Sequence, residues 1–222
     1  MKTQLKKKYD LIYFVGDSFV LATDQDDDKG KIITDNNRFS ALVANNYDLK
    51  EVNFGMGGAG NHQIARQLFQ DMFNYKRRKV NPLVVVVYSD PNRLELYSNK
   101  RAKSINFSTD FSFYKDFLVE SFNIKHNQNC THFYMDCIRS ILNVLNFDYI
   151  EANSITPVVL SRSHFSNQTY MLKYLSEIAG DQGSFKIINE NNKILNGHPN
   201  ILGHQLIAQE IIAKIDELYG TN

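Results

Sequence analysis

Four things are scarce in this 222-residue chain: cysteine, long apolar runs, charge of one sign, and internal repetition. The two cysteines, Cys130 and Cys137, stand seven positions apart on a predicted helix, about 10 Å along its axis and beyond the ~7 Å Cα separation that a disulfide tolerates. They are expected as reduced core thiols. No covalent staple is required, because a chain of this length buries roughly 70% of its unfolded surface. No apolar stretch approaches the ~18 residues of a membrane span. The Lys-rich start, Lys2 to Lys8, precedes only five apolar residues before Gly16, too few for the apolar part of a secretory signal. The chain therefore reads as soluble and cytoplasmic, with no membrane partner. Basic and acidic residues nearly cancel, 25 against 24, which removes any general attraction for polyanions and argues against nucleic acid as a partner. With no repeat and no low-complexity linker, residues 1–222 read as one domain.

What the sequence does contain is alternation. Short apolar or β-branched runs at 11–15, 50–54, 83–87, 155–160 and 185–188 alternate with helical patterns at 37–46, 61–79, 130–145 and 199–218. That order predicts βαβ units, hence an α/β fold: a three-layer α/β/α sandwich around a central, mostly parallel five-stranded sheet. The run 83–87 is the most continuous and is expected at the sheet's centre, buried on both faces. In the helix 61–79, Ile64, Leu68, Met72 and Tyr75 recur along one face. Asn61 is expected as its cap, and Lys76-Arg77-Arg78-Lys79 puts cations where the helix dipole favours them. Pro199 suits the first turn of the last helix.

Residues 97–129 read as an insertion, in which Phe107, Phe111, Phe113, Tyr114, Phe117 and Phe122 are mixed with Lys100, Arg101 and Lys103. A satellite core over the sheet is the expectation, with a lid or substrate wall as the functional alternative. The aromatic and basic mixture also suits single-stranded nucleic acid, but neither net charge nor a spaced motif supports that use. The acidic run 24–30 has its glycine one place late for an EF-hand and reads as a solvated loop. His126, His132 and His164 lack metal-ligand spacing, so no metal and no other cofactor is expected.

Chemistry concentrates at two remote places. Gly16-Asp17-Ser18 follows the first strand directly and puts a hydroxyl nucleophile at its exit; His198-Pro199-Asn200 with Gly203-His204 puts an imidazole at the start of the last helix. Loops at the carboxyl ends of parallel strands share one rim, so Ser18 and His198 are expected to meet as nucleophile and base. His204 reads as packing or capping. His62 reads as an exposed residue of a first helical turn, with a place at the pocket border as the alternative.

With these blocks in order, the chain resembles the SGNH, or GDSL-type, hydrolase superfamily, with its flavodoxin-like sandwich. Gly16, Asp17 and Ser18 match the first block; Asn53, Gly55 and Gly58 match the Asn-x-Gly-x-x-Gly of the second; His198, Pro199, Asn200, Gly203 and His204 match the last. The resemblance implies hydrolysis of a small acyl ester, such as an O-acyl group on a carbohydrate, through an acyl-serine. Ser18 attacks, His198 carries the proton, and the amides of Ser18 and Gly58 receive the developing oxyanion.

Two blocks depart from the pattern. In place of Gly-x-Asn-Asp the chain has Tyr88-Ser89-Asp90-Pro91-Asn92-Arg93, with Asn92 as the candidate oxyanion donor. Arg93 reads as the surface ion-pair partner of Glu95, with help to the oxyanion as the alternative. The acid expected before the histidine is replaced by Leu195 and Asn196. Asn196 can orient the imidazole, or a backbone carbonyl or Glu190 substitutes. The competing reading is a catalytically weak or silent binding or assembly protein on the same fold, of a kind that the Asn- and Lys-rich composition associates with tailed phages.

Overall fold

The computed structural model describes residues 2–22, 36–91, 93–98, 101–105, 124–155, 169–171, 173–188 and 194–220. Four strands form the central sheet: β1 (Leu11–Gly16), β2 (Lys50–Gly55), β3 (Pro82–Tyr88) and β6 (Tyr149–Asn153), in the spatial order β2-β1-β3-β6 and all parallel. Alternation along the strands sorts side chains to two faces. Ile12, Phe14, Val85, Val87 and Ile150 pack under one layer, made of α1 (Lys2–Lys8), α3 (Phe39–Tyr47), α6 (Leu175–Ala179) and α7 (Ile201–Tyr219). Tyr13, Val15, Val84, Val86 and Tyr149 pack under the other, made of α4 (Asn61–Arg78) and α5 (Ile124–Leu145). The result is the expected three-layer α/β/α arrangement, and every residue of β3 is buried, as befits a strand covered on both faces.

Among the described residues the sheet has four strands, not five, and its last member is not the expected one. β6 lies at Tyr149–Asn153, ahead of the predicted run, and Ile155 is exposed after it; residues 156–160 lie outside the described residues. Beside β6 the next place is held by a single parallel bridge, Glu151 to Tyr170. The expected fifth strand instead forms β7 (Ser184–Ile188), which pairs antiparallel with β8 (Ile194–Pro199) as a separate hairpin. Pro199 thus ends a strand, and Asn200 caps α7.

Other local corrections follow from hydrogen bonding. Gly60 occupies the cap of α4, because the Asn61 side chain is used elsewhere: its Oδ1 accepts the Ser89 amide at 2.8 Å and its Nδ2 donates to the Ser89 carbonyl at 3.0 Å. The segment 97–129 is partly regular, with a hairpin of β4 (Leu94–Ser98) and β5 (Arg101–Ile105), then the start of α5. Its aromatic residues from 107 to 122 lie outside the described residues, as does the acidic run 24–30. Cys130 and Cys137 are free but only partly buried, so they are not core thiols. Among the described residues no helix is long and apolar enough to cross a membrane.

Candidate active site

The sheet order reverses at β1: β2 lies on one side of it and β3 on the other. A crevice forms at such a switch point, beyond the carboxyl ends of the strands, and Asp17 and Ser18 leave β1 directly into it. Asp17 is the N-cap of the short helix α2 (Ser18–Leu21): its backbone is extended and its Oδ1 accepts the Phe19 amide at 3.0 Å. Ser18 becomes the first helical residue, half-buried.

His198 arrives from β8. Its Nε2 lies 2.7 Å from Ser18 Oγ, and its ring sits 5.3 Å from that of Phe19 at 45°. Asn200 anchors the turn that follows: its Oδ1 accepts the Gly203 amide at 3.0 Å, its Nδ2 donates to the Gln182 carbonyl at 2.8 Å, and its own amide donates to the Gly183 carbonyl at 2.8 Å. The structure therefore brings Ser18 and His198 into hydrogen-bond contact from opposite ends of the sequence.

The second block holds the floor of the crevice. Asn53 Nδ2 donates to the Val20 carbonyl and to Ser40 Oγ, both at 2.8 Å, while its Oδ1 accepts the Gly55 amide at 2.8 Å. That ties the exit of β2 to the end of α2. Gly55 lies so close that an added Cβ would fall 2.0 Å from the Leu21 nitrogen. Gly58, in the loop that follows, has φ +72°, a conformation that favours glycine.

Arg93 departs from its expected surface pairing. Its side chain is only 9% exposed and its Nη1 donates at 3.1 Å to Oδ2 of Asp17, which is fully buried. Ser154, just past β6, donates its hydroxyl to the same oxygen at 2.8 Å. This Asp17, Arg93, Ser154 cluster was not legible as a functional unit; the only local signal was an Asp in N-cap position before a helix. Asn92 lies outside the described residues. The backbone of Asn196 pairs with Lys186 in the β7–β8 hairpin, but its side chain also lies outside them, and so does Glu190.

Burial holds the His198 imidazole below the ordinary histidine range; Asp17 opposes this and Arg93 reinforces it. At neutral pH the ring is therefore uncharged and able to accept the Ser18 proton. His204 is a second imidazole behind the first. It is fully buried, its Nδ1 accepts the Phe39 amide at 3.2 Å, and its ring stacks on that of Phe39. Burial, with smaller contributions from His198 and Arg38, lowers its pKa to about 3. His204 thus caps α3 from within the core. His62 is partly buried and its ring meets Tyr134.

A cleft of about 450 Å³ opens beside His198 and is lined by Phe19, Ile155, Tyr174, Ser176 and Glu177. Apolar walls with a few polar groups, at this volume, suit a small organic ligand.

No protein-family profile matches the chain, and no curated protein matches it. Solved structures do. A lipolytic protein of the G-D-S-L family from Desulfitobacterium hafniense DCB-2 superposes with a TM-score of 0.53 at 11% identity, over 92% of this chain and 99% of that one. An acetyl xylan esterase from the rumen bacterium Butyrivibrio proteoclasticus gives 0.56 at 12% identity, over 96% of this chain and 65% of that one. A carbohydrate esterase family 2 enzyme with a carbohydrate binding domain, from Corynascus thermopiles (Myceliophthora fergusii), gives 0.51 at 12% identity, over 95% and 67%. The chain thus spans nearly all of the first and about two thirds of the others. At these identities the likeness is one of fold: the chain shares the α/β/α architecture of these G-D-S-L-family and carbohydrate-esterase structures.

Proposed function

We propose that this chain is a serine ester hydrolase that removes a small acyl group from a carbohydrate hydroxyl. The observation that carries the reading is the 2.7 Å contact between Ser18 Oγ and His198 Nε2 at the switch point of the sheet. As Ser18 Oγ attacks the ester carbonyl, its proton passes to His198 Nε2. Negative charge on the carbonyl oxygen is received by the amides of Ser18 and Gly58, with Asn92 as a side-chain donor. Collapse of the adduct breaks the bond to the alcohol, and His198 returns the proton to that oxygen. Water, deprotonated by the same imidazole, then releases the acid from Ser18. Asn196 is the proposed orienting group for the other ring nitrogen.

The carbohydrate part of the proposal rests on which side the cleft lies. The leaving alcohol sits next to the imidazole that protonates it, and the cleft of about 450 Å³ beside His198, lined by Phe19 and Tyr174 with Ser176 and Glu177 as polar partners, has the volume for a sugar ring. The acetyl xylan esterase among the structural neighbours agrees with a short acyl group.

The test is labelling by a fluorophosphonate probe together with hydrolysis of p-nitrophenyl acetate and an O-acetylated xylo-oligosaccharide. The expected result is labelling of wild type only, with Ser18→Ala and His198→Ala each slowing hydrolysis by at least about 10³-fold. Because a depressed imidazole pKa keeps the base neutral, kcat/KM should stay flat above about pH 6.5 and fall only at lower pH. Leu195 in place of the usual acid favours a second reading, a silent glycan-binding or assembly protein. Wild type without labelling, binding the oligosaccharide as well as Ser18→Ala does, would establish that reading instead.

A further inference from the structure

We propose that the buried ion pair Asp17–Arg93 is the charge-setting partner of His198: Asp17 stabilises the imidazolium from the nucleophile's side, in place of an acid preceding the histidine, and Arg93 limits that stabilisation. The inference rests on the reading of His198 as the base.

The geometry leaves Asp17 little freedom. It adjoins Ser18 in the chain, has no exposure, and is held by three donors: the Phe19 amide at 3.0 Å on Oδ1, and Ser154 Oγ at 2.8 Å and Arg93 Nη1 at 3.1 Å on Oδ2. A carboxylate fixed this way cannot turn toward water. Ser18 links it to the imidazole, whose Nε2 is 2.7 Å from Ser18 Oγ. Charges in such a shell act on one another several-fold more strongly than in water. The positions that would ordinarily supply an acid hold Leu195 and Asn196, and where the resembled third block carries Asp after its Asn, this chain carries Arg93. The two departures compensate: an acid is missing beside the histidine, while the acid of the first block acquires a buried guanidinium partner at 3.1 Å.

Among the described residues, the other charged or titratable groups facing His198 do not provide this balance. His204, from α7, stays neutral above about pH 3. Arg38, at the N-cap of α3, acts on His204 and is itself paired with Glu51 at 2.7 Å. Glu177, from α6, lines the cleft with His198 but is exposed and screened by water.

The experiment follows the His198 ring by NMR through a pH titration of full-length protein labelled at histidine, assigned with His198→Asn. It needs no turnover. Arg93→Met should move the His198 midpoint up by about half a pH unit, a threefold gain in proton affinity, and Asp17→Asn, which removes the charge adjoining Ser18, should move it down by about one unit, a tenfold loss. Arg93→Lys should restore the wild-type midpoint. Asp17→Asn/Arg93→Met, which leaves no buried charge unpaired, serves if Arg93→Met fails to fold, and should bring the midpoint down from the wild-type value toward that of Asp17→Asn. The acid limb of kcat/KM should move in parallel. A midpoint unchanged in Asp17→Asn and in the double variant, each folded, overturns the proposal and leaves the pair a purely structural clamp. A wild type that neither hydrolyses ester nor takes the probe defeats the esterase reading alone, since the titration still decides whether the pair acts on His198.

Discussion

His204 shows at a single residue how burial turns a histidine into a pH-dependent liability. Nδ1 accepts the Phe39 amide, so the ring is useful only while that nitrogen is unprotonated. The unfolded chain takes up a proton near pH 6.5, whereas the folded ring does so only near pH 3. Between those values the unfolded state binds more protons, so stability present above pH 6.5 is lost as pH falls, by up to about 1.4 kcal/mol per pH unit. His204→Asn keeps an acceptor in nearly the same place without the titration. Urea unfolding at pH 7.5 and pH 5 should show wild type losing about 2 kcal/mol more than the variant over that interval; equal losses would mean that other groups set the acid sensitivity. Much of the site is legible at this scale. Ser18, His198 and Asn200 stand in short motifs whose spacing is local, whereas which asparagine caps a helix is not: Asn200 does and Asn61 does not. Arg93 is not legible, because its partner Asp17 is 76 positions away and the nearer Glu95 offers a more ordinary pairing.

At the level of elements, β6 is the part of the fold hardest to read. The run Tyr149-Ile150-Glu151-Ala152-Asn153 carries two polar residues, yet every one of the five is buried. Glu151 is tolerated because Arg139 of α5 donates Nε to both its oxygens at 3.0 Å and Tyr88 of β3 donates its hydroxyl at 2.7 Å. Burial pushes the Glu151 carboxyl up and Arg139 pulls it back down. No periodicity announces such a strand; it is specified by partners on two other elements. The hairpin strand β8 is hidden for a similar reason, since Asn196-Gly197 in its middle looks like a turn. The cluster therefore fastens β6 to α5 and adds a side-chain bond to its backbone pairing with β3. Arg139→Met should destabilise the protein by about 3–5 kcal/mol, because it strands a buried charge, while Glu151→Gln/Arg139→Met should regain most of that loss. Urea unfolding of both variants checks this, and a double variant no better than the single one would show that the pair acts through packing, not charge.

Across the whole molecule the two halves of the site stand on supports of unequal strength. Ser18 follows β1, which lies between β2 and β3 and whose residues are all buried. His198 belongs to a two-stranded hairpin outside that sheet, and a lone hairpin is marginal unless packing secures it. Its ties to the rest run through Asn200, the Gly183 carbonyl and α7, whose Ile207, Ile211 and Ile215 enter the core. Local opening draws on the least supported elements first. Amides of Val84 to Val87 should therefore exchange only with global unfolding, whereas those of β7 and β8 should exchange through a smaller opening. The same inequality has a consequence for the site. In rising urea, labelling of Ser18 by the fluorophosphonate should decline at a lower concentration than the loss of helical circular dichroism, because separating the hairpin from α2 removes the imidazole before the sheet yields. Coincident transitions would mean that the hairpin and the sheet open as one cooperative unit, with the packing of α7 sufficient to hold His198 against Ser18 until the whole structure gives way.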